Sequence, residues 1–563
     1  MSDETRHEGG LTRKQLLGTG AGAAAAALLS RGLGIDPAFG ATKGGEGLDG
    51  KNVILFITDQ ERLIQHFPPN WARENLPGMR RLLNHGLSFE TACTAACMCS
   101  PSRSSLMTGY FPAQHGVKYT LEKEMPVSEF PQNELPTSLP NLGTVMKAAG
   151  YDVVYKGKWH CAKSQEEEEE LPNPEAKPSD LERYGFERWD PPDAGANQSI
   201  PEAGGGYTNN DGRIIEDKGN YKEAKEGALQ YLDSVAGTGP RPFFLVISLV
   251  NPHDVLFYPS KTFEESGYDA SWLSGDIEVP RTNEEDLSTK PTVQEEFLKI
   301  FNLTGKPESE AEKRGYLNFY GNLMRSSDNY LVEVLNKLEA KGLFEDTLII
   351  RTSDHGEMGL THGGLRQKNF NFYEETLKVP LIYSNPKMFP RPVTSDALIS
   401  HVDLLPTLAS LAKAPKSARR AWQGVDYSDI VLNPHRGKEP QDYVAFTYDD
   451  FQSGQNNGVY PKNPRHVVSI REKRWKLAKY VDREAKLVGE KAGKQKWVEY
   501  TPPHPKPPQW EMYDLKTDPY EEVNLAYEGY ERTPAQEKQF LRLKKKLERV
   551  EKKRLQPLAK SLN

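Results

Sequence analysis

Cysteine is scarce in this sequence. Four residues in 563, Cys93, Cys97, Cys99 and Cys161, are too few to staple a disulfide scaffold. Their Cys-x3-Cys-x-Cys spacing, with His160-Cys161 further on, is also poor for a zinc site, which presents paired cysteines twice. Cys93, Cys97 and Cys161 read as buried small apolar side chains, or as one disulfide plus a spare. An excess of positive charge is missing too: 72 basic side chains face 79 acidic ones. That excludes the basic field of a nucleic-acid binder, so no nucleic-acid partner is expected. Internal repeats are absent. No apolar run reaches the roughly 20 residues of a membrane span, so no transmembrane anchor is expected. What remains is a chain with 10% aromatic residues. Its length suits a large α/β catalytic domain plus a smaller one.

The first stretch reads as a leader rather than as fold. Arg13-Lys14 precedes Gln15-Leu16-Leu17 and a weakly hydrophobic Ala-Gly-Leu run to Leu29, with Arg31 beyond it. This is a conservative variant of the twin-arginine export pattern, with small residues for cleavage at Ala38-Phe39-Gly40. A signal peptide over 1–41 and a Gly-rich linker over 42–50 follow from it. The expected location is outside the cytoplasm, periplasmic or secreted, in a bacterium.

Continuous apolar runs of strand length occupy residues 52–58, 151–155, 242–250 and 347–352. Such runs read as strands buried on both faces. Helical spacing covers 139–149, ending at Gly150, and 316–341, ending at Gly342. Strands alternating with helices predict an α/β sheet. Residues 172–220 and 255–295 read as loops, 166–170 as a solvated acidic run, and 535–553 as a basic surface helix.

Each of the four strands runs into ionisable residues. The first gives Asp59 and Gln60, the second Lys156, Lys158 and His160. The third gives Asn251 and His253-Asp254, and the fourth Asp354-His355. Ligands of open α/β sheets bind at the carboxyl ends of strands, so these residues predict one converging site. Asp59, Gln60, Asp354 and His355 offer mainly hard oxygen ligands for Ca²⁺, Mg²⁺ or Mn²⁺. Arg103, Lys158, His160, His253 and Lys368 are or can become cationic. A metal among cations makes sense with a multiply charged anion, a sulfate or phosphate ester, between them. In Cys97-Met-Cys99-Ser-Pro-Ser-Arg103, Pro101 suits a helix start, with Ser102 to Met107 continuing it and Cys99 at its mouth.

Cys99-Ser100-Pro101-Ser102-Arg103 resembles the Cys-x-Pro-x-Arg signature of the type I sulfatases. Asn52 to Gln60, Lys156-Gly-Lys-Trp-His160, and Asp354-His-Gly-Glu-Met with His362 and Lys368 resemble its other signatures. So do Val379-Pro-Leu-Ile, His401-Val-Asp-Leu-Leu-Pro-Thr407 and the segment from Met512 to Leu525. The resemblance implies an alkaline-phosphatase-like fold: a mixed sheet sandwiched by helices over 51–432, then a smaller C-terminal α+β domain over 433–563 with a short antiparallel sheet. Candidate strands there are 443–448, 466–470, 475–480, 497–500 and 510–515.

The resemblance also implies chemistry. A formylglycine-generating enzyme would oxidise Cys99 to formylglycine, whose hydrated gem-diol attacks the sulfur of a small-molecule or carbohydrate sulfate ester. Arg103 and Lys158 would hold the hydrated aldehyde. Asp59, Gln60, Cys99, Asp354 and His355 would hold the metal, expected to be Ca²⁺. His160 would serve as base for expulsion of sulfate. His253, Lys368 and Lys158 would bind the sulfate, and His253 or Lys368 would protonate the leaving oxygen. Two departures stand out. Asp59-Gln60 replaces the two Asp of many members, and one extra residue separates His362 from Lys368. The first leaves a phosphonate or phosphate ester hydrolase of the same superfamily as an alternative, and an inactive metal-binding protein is the alternative from another class.

Overall fold

The computed structural model describes residues 48 and 50–558, apart from 64–65, 123–129, 164–175, 196–198, 219–225, 236–238, 453–458 and 492–493. The expected leader and the acidic run at 166–170 lie outside the described residues.

In chain order the strands are β1 (Asn52–Asp59), β2 (Gly86–Cys93), β3 (Ala96–Cys97), β4 (Asp152–Gly157), β5 (Phe243–Pro252), β6 (Thr347–Ser353), β7 (Lys378–Val379), β8 (Leu381–Ser384) and β9 (Val393–Ser400). They continue with β10 (Val444–Tyr448), β11 (His466–Arg471), β12 (Trp475–Val481), β13 (Glu484–Lys491), β14 (Lys494–Tyr500) and β15 (Gln509–Asp514). A large mixed sheet runs β4-β5-β1-β6-β8-β2-β7, with β9 paired to β2. The four strands read from apolar runs are its parallel centre: β4 pairs with β5, β5 with β1, and β1 with β6.

Burial on both faces explains why those runs do not alternate. Val53, Leu55 and Ile57 face one apolar core; Ile54 and Phe56 face another. Each such side chain contributes about 1.5–3 kcal/mol of burial. The second core is closed by Leu331, Val334, Leu335 and Leu338, one stripe of the helix Glu310–Ala340. That helix starts before residue 316 because Ser309 and Glu312 form a reciprocal cap. It stops at Lys341, where Gly342 takes φ +67°. The helix expected over 139–149 is shorter, Leu142–Ala148, because the Asn141 side chain caps Gly143 and Thr144. The segments read as loops contain short helices, among them Ser179–Glu182 and Asn210–Ile215, too brief to leave a period in the sequence.

The smaller sheet runs β15-β12-β11-β10-β3. Its last strand, β3, lies just before Cys99 and pairs with β10 in parallel, Tyr448 opposite Cys97. The C-terminal sheet is therefore stitched to the chain two residues from the expected nucleophile. Residues 497–500, expected in this sheet, pair instead within a separate hairpin, β13–β14. The basic helix, Pro534–Arg554, buries Phe540, Leu543, Leu547 and Val550 in a core shared with β11 and β12. All four cysteines are free and buried. Among the described residues no helix is long and apolar enough to cross a membrane.

Candidate active site

Parallel neighbours end at the same edge, so the topology delivers the four polar strand ends side by side. Asp59 closes β1, Lys158 follows β4, His253 follows β5 and Asp354 follows β6. The helix Cys99–Thr108 meets them, and all of its residues are buried. It begins at Cys99, earlier than a start at Pro101. Pro101 still occupies the first turn, where a missing N–H is harmless.

Arg103 ties the helix to the strand ends. Its guanidinium donates to Asp59 Oδ2 and Asp354 Oδ2, both at 2.9 Å. It also donates to the Lys158 carbonyl at 2.9 Å and to Ser248 Oγ at 2.8 Å. Lys158 Nζ lies 2.7 Å from Asp59 Oδ2. The Cys99 thiol faces His355 Nε2 at 3.2 Å and Asp59 Oδ1 at 3.8 Å. Asp354 Oδ1 accepts from the backbone N–H groups of Gln60 and His355.

The imidazoles are set by carbonyl partners. His355 Nδ1 meets the Gly356 carbonyl at 3.1 Å, so it carries the proton and turns a lone pair on Nε2 toward Cys99. His160 Nε2 meets the Leu121 carbonyl at 2.7 Å, which leaves Nδ1 unprotonated; that atom is buried with no partner among the described residues. Burial, aided by Lys158 for His160 and His253 and by Lys368 for His355, holds all three well below the ordinary histidine value. Each is therefore neutral near pH 7 while no anion is bound beside it.

The acids diverge. Burial alone would raise Asp59, but the Lys158 and Arg103 cations outweigh it and hold the carboxyl well below its usual range. Burial and the neighbouring Asp59 charge push Asp354 up to about 7 despite Arg103. Burial and Asp59 push the Cys99 thiol to about 12. A thiol that stays protonated is a poor nucleophile as it stands.

Asp59, Cys99, Asp354 and His355 bring their ligand atoms within 4.8 Å of one another, all buried. Two carboxylates and a neutral imidazole with its lone pair inward fit a divalent cation. Gln60, also expected as a ligand, turns its Oε1 to Lys368 Nζ at 2.5 Å. His253 sits within electrostatic reach of Lys158, Asp59, Lys368 and His355. Lys156 does not join the group: its ammonium pairs with Asp190 at 2.9 Å and Glu226 at 3.0 Å. His362 lies elsewhere, 2.7 Å from Glu285 and stacked on Tyr373.

Several supporting residues escaped the sequence reading. Asp193 accepts from the backbone N–H of Trp159 and of His160, both at 2.8 Å, and so holds His160 in a left-handed turn, φ +53°. Asp211 accepts from Val250 and Asn251 N–H just before His253. Asp254, which the sequence already places at this strand end, grips the Gly204 and Gly205 N–H groups. Glu357 stands inside the Asp354-His-Gly-Glu-Met motif, but the sequence assigns it no role.

This sheet, with buried acids, imidazoles and cations at its strand ends, is the alkaline-phosphatase-like hydrolase architecture. A solved 2-O GAG sulfatase shares the fold at TM-score 0.63 and 20% identity, covering 90% of this chain and 92% of that one. The sulfatase family model matches residues 51–414, and the chain belongs to that family of sulfuric ester hydrolases. It is 26% identical to an ulvan-active sulfatase of Formosa agariphila over 68% of this chain, and spans 65% of that protein. It is 24% identical to a Δ4,5-hexuronate-2-O-sulfatase of Bacteroides thetaiotaomicron, covering 79% of this chain and 78% of the relative.

Proposed function

We propose that this protein hydrolyses a carbohydrate sulfate monoester through a formylglycine made from Cys99, with a divalent cation beside it. The observation that carries this is the setting of Cys99. It opens a buried helix and faces a cluster suited to a cation, with Arg103 and Lys158 beside it. The carbohydrate class is supported by the relatives named for ulvan and hexuronate sulfates.

Asp59, Asp354, His355 and residue 99, with Gln60 beside them, would hold the cation, which lowers the pKa of a bound hydroxyl and screens the sulfate oxygens. The imidazole nitrogen favours Mn²⁺ over the expected Ca²⁺. Arg103 and Lys158 hold the hydrated aldehyde in place. One diol hydroxyl, giving its proton to Asp354, attacks sulfur as the S–O bond to the substrate alcohol breaks. His253 or Lys368 delivers a proton to that leaving oxygen. His160 Nδ1, buried and unprotonated, then takes the proton from the second hydroxyl; the C–O bond to sulfate breaks and the aldehyde re-forms. Lys158, His253 and Lys368 bind the sulfate oxygens. The twin-arginine reading adds that maturation and folding precede export; fractionation of the native host tests it.

Peptide mass analysis of residues 92–108 from native-host protein, together with a panel of sulfated sugars, a sulfated phenol and a phosphonate monoester, tests the proposal. The expected result is conversion of Cys99 and highest kcat/KM on a sulfated sugar, lost on chelation and restored by Mn²⁺ or Ca²⁺. Active protein with unmodified Cys99 would refute the mechanism. A preference for the phosphonate would move the chain to the alternative hydrolase class.

A further inference from the structure

The motif Asp354-His355-Gly356-Glu357 contains one carboxylate that the mechanism does not use. Glu357 is fully buried. Its Oε2 accepts from Gln60 Nε2 at 2.5 Å, and the other end of the same amide, Oε1, accepts from Lys368 Nζ at 2.5 Å. Its Oε1 accepts from Tyr316 OH at 2.7 Å and from the Gln367 backbone N–H at 2.9 Å. Gln367 stands directly before Lys368 and has φ +70°, a left-handed backbone that a non-glycine residue holds only when its surroundings fix it. One carboxylate thus grips Lys368 twice: through the backbone beside it and, by way of Gln60, at its ammonium.

The chemistry of the three groups sets the direction of this chain. A carboxylate only accepts, an ammonium only donates, and an amide placed between them can satisfy both in one orientation. Gln60 therefore presents its carbonyl oxygen to Lys368. A neutral carbonyl fixes the ammonium without cancelling its charge, whereas an aspartate at position 60 would pair with it. We infer that Glu357 is a positioning residue that acts through Gln60 to hold the Lys368 ammonium where it meets the sulfate oxygens. This rests on the sulfatase reading, which puts Lys368 in the anion site.

The test is a double-mutant cycle on the full-length holoenzyme, read as the Kd of inorganic sulfate by calorimetry. Glu357→Gln is expected to raise that Kd about 10-fold. In a Lys368→Ala background the same change should move it less than about twofold, because the link then has no far end. Tyr316→Phe, which removes a donor from Glu357 but leaves Gln60 untouched, should stay within about twofold of wild type. If Glu357→Gln does not fold, Gln60→Ala cuts the chain in the middle and takes its place in the cycle. Equal effects in both backgrounds, or none in either, overturn the link and leave the sulfatase reading intact. A wild-type holoenzyme that neither binds sulfate nor hydrolyses any sulfate ester overturns both.

Discussion

Two regions of this molecule bury dense charge, and they are built differently. At the strand ends Arg103 and Lys158 converge on Asp59 and Asp354. At the junction of the two sheets, Glu374 meets Arg471 at 2.9 Å and Lys476 at 3.1 Å, and Lys476 meets Glu521 at 2.7 Å. The junction pairs its charges with one another, although burial and the neighbouring Glu374 and Glu375 push Glu521 up to about 7 despite Lys476. Lys476 also donates to the Phe372 carbonyl, and Glu521 accepts from the Glu374 N–H. Opposed burial and cations leave Glu374 well below its usual range, as a settled ion pair. The strand-end cluster differs in shape: Asp59, Cys99, Asp354 and His355 turn their ligand atoms to within 4.8 Å of one another, and His160 Nδ1 has no partner among the described residues. Buried charge alone therefore marks no chemistry. Buried ligand atoms gathered around one point do, because that geometry suits a ligand.

The largest expected effect separates the two regions by activity. Cys99→Ala should lower kcat by about 10⁶-fold, the scale seen when a nucleophile is removed. Its thermal midpoint should stay near wild type, since no ion pair is lost. Arg471→Ala should do the reverse. It removes one of the two cations on buried Glu374, leaving Lys476, and should cost about 1.5–3 kcal/mol in urea unfolding. The kcat of the folded fraction should remain within about twofold, as the change touches none of the strand-end groups. A loss of kcat matching that of Cys99→Ala would mean the junction belongs to the site.

Next in size is a pH effect on the junction's outer shell. His362 stacks on Tyr373, next to Glu374, and faces Glu285 at 2.7 Å and Glu375 at 3.8 Å. Lys290 and His66 hold the far sides of those acids. Burial would lower His362, but its hydrogen bond to Glu285 and the nearby Glu375 charge outweigh it and raise it to about 9. A histidine raised on folding gives stability that is complete below its unfolded value of about 6.5 and is lost as pH climbs through 9. The contribution is of order 3 kcal/mol. His362→Phe keeps the stacking and removes the charge. Its deficit against wild type in urea unfolding should be full at pH 6 and close toward pH 9; a constant gap would rule out the ion pair as its cause.

The sequence shows the centre of the sheet plainly and its margins poorly. Strands β4, β5, β1 and β6 are buried on both faces, so each is an unbroken apolar run ending in polar residues. The flanking β7 and β8 are only two and four residues long, and β9 carries exposed polar positions, so neither length nor period exposes them. The site divides in the same way. Residues that touch the chemistry stand in local motifs. Those that hold them in place act on distant partners, Asp193 on His160 across 33 positions and Glu357 on Gln60 across 297, so even Glu357, which stands in a motif, shows no partner in the local sequence.

Lys156 and Lys158 show where that limit falls, and they carry the smallest predicted effect. Two positions apart at the end of β4, they are equivalent by strand position, and the family resemblance singles out Lys158. A strand places alternate residues on opposite faces, but Gly157 with φ +98° breaks that alternation and sends the chain beyond it into the site. Lys158 ends against Asp59, whereas Lys156 ends against Asp190 and Glu226, whose side chains keep about a quarter of their exposure. Removing Lys156 strands no fully buried acid, so Lys156→Met should cost about 1 kcal/mol or less and leave kcat/KM within about twofold. Lys158→Met removes a cation that holds Asp59 ionised and should lower kcat/KM by at least about 100-fold. Equal losses in the two variants would show that the turn at Gly157 does not separate the two lysines.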